Sequence, residues 1–332
     1  MNIQAMLKER VLILDGAMGT ELMRRLSQID RVPEAVNLEN PQVLIDVHKA
    51  YIDAGADIIE TNTFGANRIK LAEIGLERKV KDLNLAAAEA ARKARGHRNV
   101  LIAGSMGPVG QLIRPLGDMD VESVYEAYAE QARFLAKGGV DLLVVETQID
   151  ILEAKTALRA CRDVTDLPVG VSMSFPLEGG RTVTGSEPEA AAATFSSVSP
   201  EFIGINCGGD PEEFEDLIGR MRTITDKPPE AYSELARKFY ASGARVIGGC
   251  CGTTPDHIKA LSRALKGQKP GAQERPASWL LASSRSRVLT IGGGGRFRII
   301  GENINPFGRT KLRSEIEKKR LERVRDYARK QA

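Results

Sequence analysis

The chain has 332 residues, and its 47 lysines and arginines against 44 aspartates and glutamates leave a net charge of +3. That length suffices for one large core plus a remainder, and so even a charge balance excludes a nucleic-acid surface as the main business. No apolar run approaches the roughly 18 residues a membrane span needs, and the start MNIQAMLKER lacks the apolar centre of a secretory signal, so a cytoplasmic protein acting on a small molecule is expected.

In chain order, short β-branched runs alternate with longer helix-like segments. The runs are VLIL (11–14), DIIETN (57–62), VLIAG (100–104), DLLVVET (141–147), PVGVSMS (168–174), FIGINC (202–207) and RVIGGCC (245–251). Each is apolar on both faces, as in a parallel sheet covered by helices, and segments such as PQVLIDVHKAYIDAG and VESVYEAYAEQARFLAKGG carry the helical period. AGAD, GGVD and SGAR place a glycine at helix ends before the next strand. No GxGxxG turn follows the first run, which favours an α/β fold of the (β/α)8 TIM type over an open doubly wound sheet.

The barrel is expected to occupy 1–265. Residues 266–297, rich in Gly, Ser, Pro and Arg, read as a linker, and 298–332 hold one strand and one charged helix, too little to bury a core alone. Between the sixth and last runs, DPEEFEDLIGRMRTI and PEAYSELARKFYAS are joined by TDKP with no strand between them, so the seventh βα unit looks missing around Pro228 and Pro229. Omission of a natural segment and a truly shortened barrel both remain open. In either case the site lacks one wall and its ligand would bind less tightly, because an eight-stranded ring closes only with all its strands.

Barrel chemistry collects at the C-terminal ends of strands, and three of the four cysteines fall there: Cys207 closes the sixth run, Cys250 and Cys251 the last. In a reducing compartment such clustering points to metal or catalysis rather than structural disulfides, and three thiolates supply three corners of a zinc tetrahedron with the fourth open. Other readings of the pair are small core residues, a strained vicinal disulfide, or a closed Cys3His site completed by His257. TTPDHIKAL, however, reads as a helix start with Thr254 as cap and Pro255 at the first position, which carries His257 away up the helix. Cys161 falls in a helix and reads as core. Thiol catalysis of the Cys-His type finds no support, because His48, His97 and His257 all miss the strand ends. Two acids, Asp15 and Glu146, stand at the same mouth, either as structural ion-pair partners or as carboxylates for a substrate ammonium. Gly16, Ala17 and Gly19 let backbone N–H groups approach a ligand carboxylate at a helix start.

LDGAMGTEL, DIIETNTFGANRIKL, GSMGPVG, VVETQIDILEAKTAL, GRTVTGSEPEAA, GINC and GGCCGTTPDHIKAL together resemble the homocysteine S-methyltransferase family over nearly all of 1–265. The resemblance implies that Cys207, Cys250 and Cys251 bind zinc. It also implies that Glu146 and the loop from Asp15 through Gly16, Ala17 and Gly19 to Thr20 hold the amino-acid end of homocysteine, with Asn62 and Thr63 lining the mouth. IIGENINPFGRTKL further resembles the opening of the folate-binding barrel of cobalamin-dependent methionine synthases, where Glu302 and Asn305 match pterin-contacting positions that would bind nothing in so short a remnant. That narrows the expected donor to methylcobalamin, supplied with folate by modules absent here. S-methylmethionine, S-adenosylmethionine or a betaine as donor is the alternative, and a non-catalytic barrel with structural zinc is the rival of a different class. In the expected mechanism the homocysteine thiol takes the open metal position, loses its proton there and attacks the methyl group in line.

Overall fold

The computed structural model describes residues 3–26, 32–177, 179–196, 198–208, 237, 240, 246–248, 254–268, 280–283 and 288–291. The strands of its main unit are β1 Leu12–Ile13, β2 Ile58–Glu60, β3 Leu101–Met106, β4 Leu142–Gln148, β5 Val169–Met173, β6 Ile203–Ile205 and β7 Val246–Ile247. All pair in parallel, β2 to β6 in chain order and β7 beside β1, with Leu14 bridging β1 to Ile58 of β2. The last strand therefore returns to the first, which is the winding of a (β/α) barrel. Among the described residues β6 and β7 are not paired; the expected gap at Pro228 and Pro229 lies outside the described residues.

Helices lie between the strands as the periodicity requires. α1 is Ile3–Glu9, α2 Met18–Arg25, α3 Val36–Glu39, α4 Pro41–Ala54, α5 Arg68–Ala72, α6 Val80–Arg95, α7 Val121–Gly138, α8 Ile151–Val164, α9 Pro188–Ser196 and α10 Pro255–Leu265. The stop signals act as read: Gly55 and Gly139 follow α4 and α7 in the left-handed conformation that costs glycine little. Asp120 and Asp150 cap α7 and α8 through side-chain bonds to Ser123 N and Leu152 N.

Two apolar clusters explain why the strands are greasy on both faces. The larger packs Ile13, Ile59, Ile102, Leu143, Val145, Val171 and Ile247 under the helices. The smaller contains the alternate residues Leu12, Ile58, Leu101, Ala103, Leu142 and Val144 and is the barrel interior. α1 supplies Ile3, Met6 and Leu7 to this inner cluster, so its apolar face plugs the interior at the N-terminal strand ends. Phe202 joins it, and a Cβ at Gly170 would lie 2.2 Å from the Phe202 ring, so only glycine lets that ring in. Within the stretch read as a linker, β8 Leu280–Ser283 and β9 Val288–Ile291 pair with each other.

His48 of α4 is fully buried, and neither ring nitrogen has a partner among the described residues. Burial pushes its pKa down to about 4. A histidine whose folded pKa is depressed binds its proton better when unfolded, so its stabilising effect is complete above roughly pH 6.5 and is lost as the pH falls toward 4. Unfolding free energies of the parent and His48→Leu, measured across that window, should diverge by roughly 3 kcal/mol. Parallel pH curves for the two proteins would show that His48 does not titrate in this way.

Candidate active site

The inner faces change from apolar to polar at the C-terminal strand ends. Past Ile58, Ala103 and Val144 the next inward positions are Glu60, Ser105 and Glu146, and on β5 the inward residue is Ser172. Strict alternation would also turn Gln148 inward. Instead the β4–β5 register slips by one residue between Val145 and Gln148, a β-bulge, and Gln148 Nε2 reaches Tyr128 Oη at 3.1 Å in the helical layer. The residue absorbing the slip is Thr147, held at φ 55°. The bulge interrupts the ladder around Glu146, pairing resuming at Gln148 opposite Met173, and leaves the Glu146 carboxylate at the mouth.

Asn206 holds this turn in place. Its Oδ1 accepts from Thr147 N at 2.9 Å and Ser172 Oγ at 2.7 Å, while its Nδ2 donates to Glu146 Oε2 at 3.0 Å and Thr147 Oγ1 at 2.6 Å. Ser105 Oγ donates to Glu146 Oε1 at 2.5 Å. Glu146 is thus a carboxylate oriented by side chains from two other strand ends, Ser105 and Asn206, with Ser172 bracing Asn206. Cys207, the next residue after Asn206, also takes a left-handed φ of 57°, and its carbonyl accepts from Ser174 Oγ at 2.5 Å. Two non-glycine residues in that region, each following a polar site residue, concentrate backbone strain at the mouth.

Asp15 leaves β1 at 2 % exposure and accepts from Glu60 N at 3.0 Å through Oδ2. Its carboxyl is pushed well above the usual range by burial first and by the Glu146 charge, with the Glu60 N–H pulling the other way. Glu60 is raised likewise, by burial and then by Glu146 and Asp15. Three carboxylates therefore feel one another inside one barrel end.

The remaining expected residues divide. Gly16 and Ala17 precede α2, and Gly19 and Thr20 lie in its first turn, where no side chain caps the helix and Tyr51 Oη secures Ala17 O at 3.0 Å. A Cβ at Gly19 would meet nothing within 4 Å, so packing alone does not demand glycine there. Asn62 donates to Pro33 O and Asn37 Oδ1, and Thr63 donates to Ser105 O at 2.7 Å; both are buried anchors of the loop after β2. Cys161 is core as expected: fully buried, its thiol is pushed up to about 12. His257 engages Thr254 at the start of α10, accepting from Thr254 N through Nδ1 at 3.1 Å. Cys250, Cys251, Glu302 and Asn305 lie outside the described residues. Among the described residues no three His, Cys, Asp or Glu side chains are grouped to hold a metal. Glu60, Ser105, Ser172 and Asn206 were not anticipated. The signal was present, since each falls in a run already read as a strand and points inward by the same alternation as its apolar neighbours.

A parallel (β/α) barrel with its polar residues gathered at the C-terminal strand ends defines a barrel enzyme. Residues 12–265 match the sequence model of the homocysteine S-methyltransferase family, and the chain belongs to that family. Solved structures of the homocysteine methyltransferase MmuM from Escherichia coli are similar at 28% identity. The metallated form aligns over 79% of this chain and 99% of that one with a TM-score of 0.65, the oxidized form over 76% and 95% with 0.64. The activity class is accordingly methyl transfer to homocysteine.

Because Asn206 makes four bonds, its removal takes one donor from Glu146 and the shorter-range acceptor from both Ser172 Oγ and the Thr147 N–H. Asn206→Ala is expected to lower the urea-unfolding free energy by about 2–3 kcal/mol, and Ser172→Ala, which removes one of those bonds, by about 1 kcal/mol. An Asn206→Ala protein as stable as the parent would show that the turn is held by other means.

Proposed function

We propose that this chain is the homocysteine-activating part of a zinc-dependent, cytoplasmic methionine synthase, transferring a methyl group to the sulfur of homocysteine to give methionine. The observation that carries the reading is the juxtaposition of Asp15 and Glu146 with the uncapped first turn of α2, at the mouth where β6 delivers Cys207. An amino acid presents an ammonium to the first pair and a carboxylate to the second. Backbone N–H groups at a helix start favour an anion, and carboxylates gathered in a desolvated recess favour an ammonium. Asn206 and Ser105 keep Glu146 aimed, and Tyr51 keeps the Asp15–Ala17 loop against the barrel.

The residues fit the metal by the chemistry of their donors. Cys207 is half-buried at the end of β6, and in sequence β7 runs through Gly248, whose Cβ position would touch Leu14, the neighbour of Asp15, toward Cys250 and Cys251. Three thiolates would hold zinc with one corner open, and zinc bound there would acidify the substrate thiol near neutral pH. The protein's own task is to bind the amino-acid end, fix the direction of the sulfur and exclude water with the inner apolar floor.

The donor we assign is methylcobalamin, carried by further modules. In that arrangement 1–265 is the homocysteine barrel, 266–297 the connection and 298–332 the start of a folate barrel. Zinc analysis followed by methionine formation with methylcobalamin, and separately with S-methylmethionine, S-adenosylmethionine and a betaine, tests this. Turnover with a sulfonium or betaine donor and none with methylcobalamin would assign the chain to the stand-alone type. A metal site with a fourth protein ligand and no homocysteine binding would leave only a structural barrel. Glu146→Gln should weaken homocysteine roughly 10- to 150-fold with zinc content unchanged, as the loss of one charge-assisted hydrogen bond requires. Unchanged affinity would assign Glu146 to structure.

A further inference from the structure

Glu60 ends β2 on its inner face, one strand from Asp15 and two from Glu146. Its own N–H serves Asp15, yet among the described residues no donor reaches its carboxylate. Asp15 Oδ1 is buried and also lacks a donor among the described residues, whereas Glu146 receives Ser105, Thr147 and Asn206. Among the described residues the charges that bear on Asp15 and Glu60 are carboxylates. A strand-end acid with a structural task finds an N–H or a cation. Among the described residues the half-buried Glu60 has neither, and desolvation beside two like charges pushes its carboxyl well above the usual range, as for an anion without its counter-ion.

A primary ammonium brings one positive charge and three N–H donors. Asp15 Oδ1 and the Glu60 carboxylate offer acceptors on two adjacent strand ends, and Glu146 offers a third from across β3. We propose that Glu60 is a third ligand of the substrate ammonium and sets the preference for an amino acid over its deaminated counterpart. This assignment rests on the placement of the amino end proposed above. Within that placement Glu60 adds a residue that neither the sequence pattern nor the family resemblance marked.

The test compares dissociation constants of the full chain, Glu60→Gln and Glu146→Gln for homocysteine and for γ-mercaptobutyrate, which keeps the thiol and carboxylate but lacks the amine. Glu60→Gln is expected to weaken homocysteine by about 10- to 100-fold while changing γ-mercaptobutyrate by less than about threefold. Its thermal unfolding midpoint is expected to equal or exceed that of the parent, because the amide removes a crowded, desolvated carboxylate. Equal weakening of both ligands, or a lower unfolding midpoint, marks a structural carboxylate and overturns the proposal. A preference for homocysteine that falls in Glu146→Gln but not in Glu60→Gln overturns the role of Glu60 alone. A preference unchanged in both variants, or no homocysteine binding by the parent chain, overturns the amino-end placement together with it.

Discussion

A strand in a parallel sheet covered by helices points alternate residues to two dry sides, and here the inner side changes character along the strand. Near the N-terminal ends it is Leu12, Ile58, Leu101 and Leu142, closed off by Ile3, Met6 and Leu7 of α1. Two or four residues on it is Glu60, Ser105 and Glu146. The first set forms a floor that excludes water. The second is thereby placed in a low-dielectric recess, where a carboxylate must find hydrogen bonds, a cation or a proton. The electrostatics of the mouth depend on that single gradient from apolar to polar.

The three carboxylates meet that requirement differently, and the difference orders their roles. Glu146 has hydroxyl and amide donors and is held as an oriented anion. Asp15 has one backbone donor and one bare oxygen, and Glu60 has none among the described residues. Among the described residues the buried Asp15 and the half-buried Glu60 are left short of partners beside a third acid. Such an imbalance belongs to a site whose missing charge arrives with the ligand. The bulge at Thr147 and the left-handed Cys207 belong to the same economy of position. Each turns the chain immediately after a polar residue, and Asn206 and Ser174 hold those turns.

Membership of the homocysteine S-methyltransferase family and the recess fit one another chemically. Homocysteine carries an ammonium, a carboxylate and a thiol, and in the proposed placement these would meet the carboxylates, the start of α2 and the Cys207 thiol in turn. The similarity to MmuM extends over almost the whole of that protein, so the resemblance is one of whole barrels rather than of a shared strand or two.

Fold class was legible from the sequence because period and punctuation are local. Seven apolar runs of strand length, helical segments between them and glycine at Gly55 and Gly139 depend on neighbours a few residues away; the runs, the glycines and the helical segments as far as β6 have their counterparts in the structure, while those between the sixth and last runs lie outside the described residues. Asp15, Glu146 and Cys207 were legible as mouth residues because the end of a strand is also a local fact. What the sequence by itself could not determine is which side chains meet across strands. Asn206 joins Glu146 and Thr147 from about sixty residues away, and that choice is made by the barrel's winding. The one-residue bulge after Glu146 is likewise invisible in VVETQID, since only the register against β5 reveals it. Asn62 and Thr63 read as lining residues yet are bound into the loop beneath, because the 3₁₀ turn at Pro33–Ala35 and strand β3 present them with partners no linear pattern announces. Glu60 is the sharpest case. In DIIETN it is one acid among many, and only the closing of β1, β2 and β4 around a dry interior puts it beside two other carboxylates, where like charge and lost water decide what it can bind.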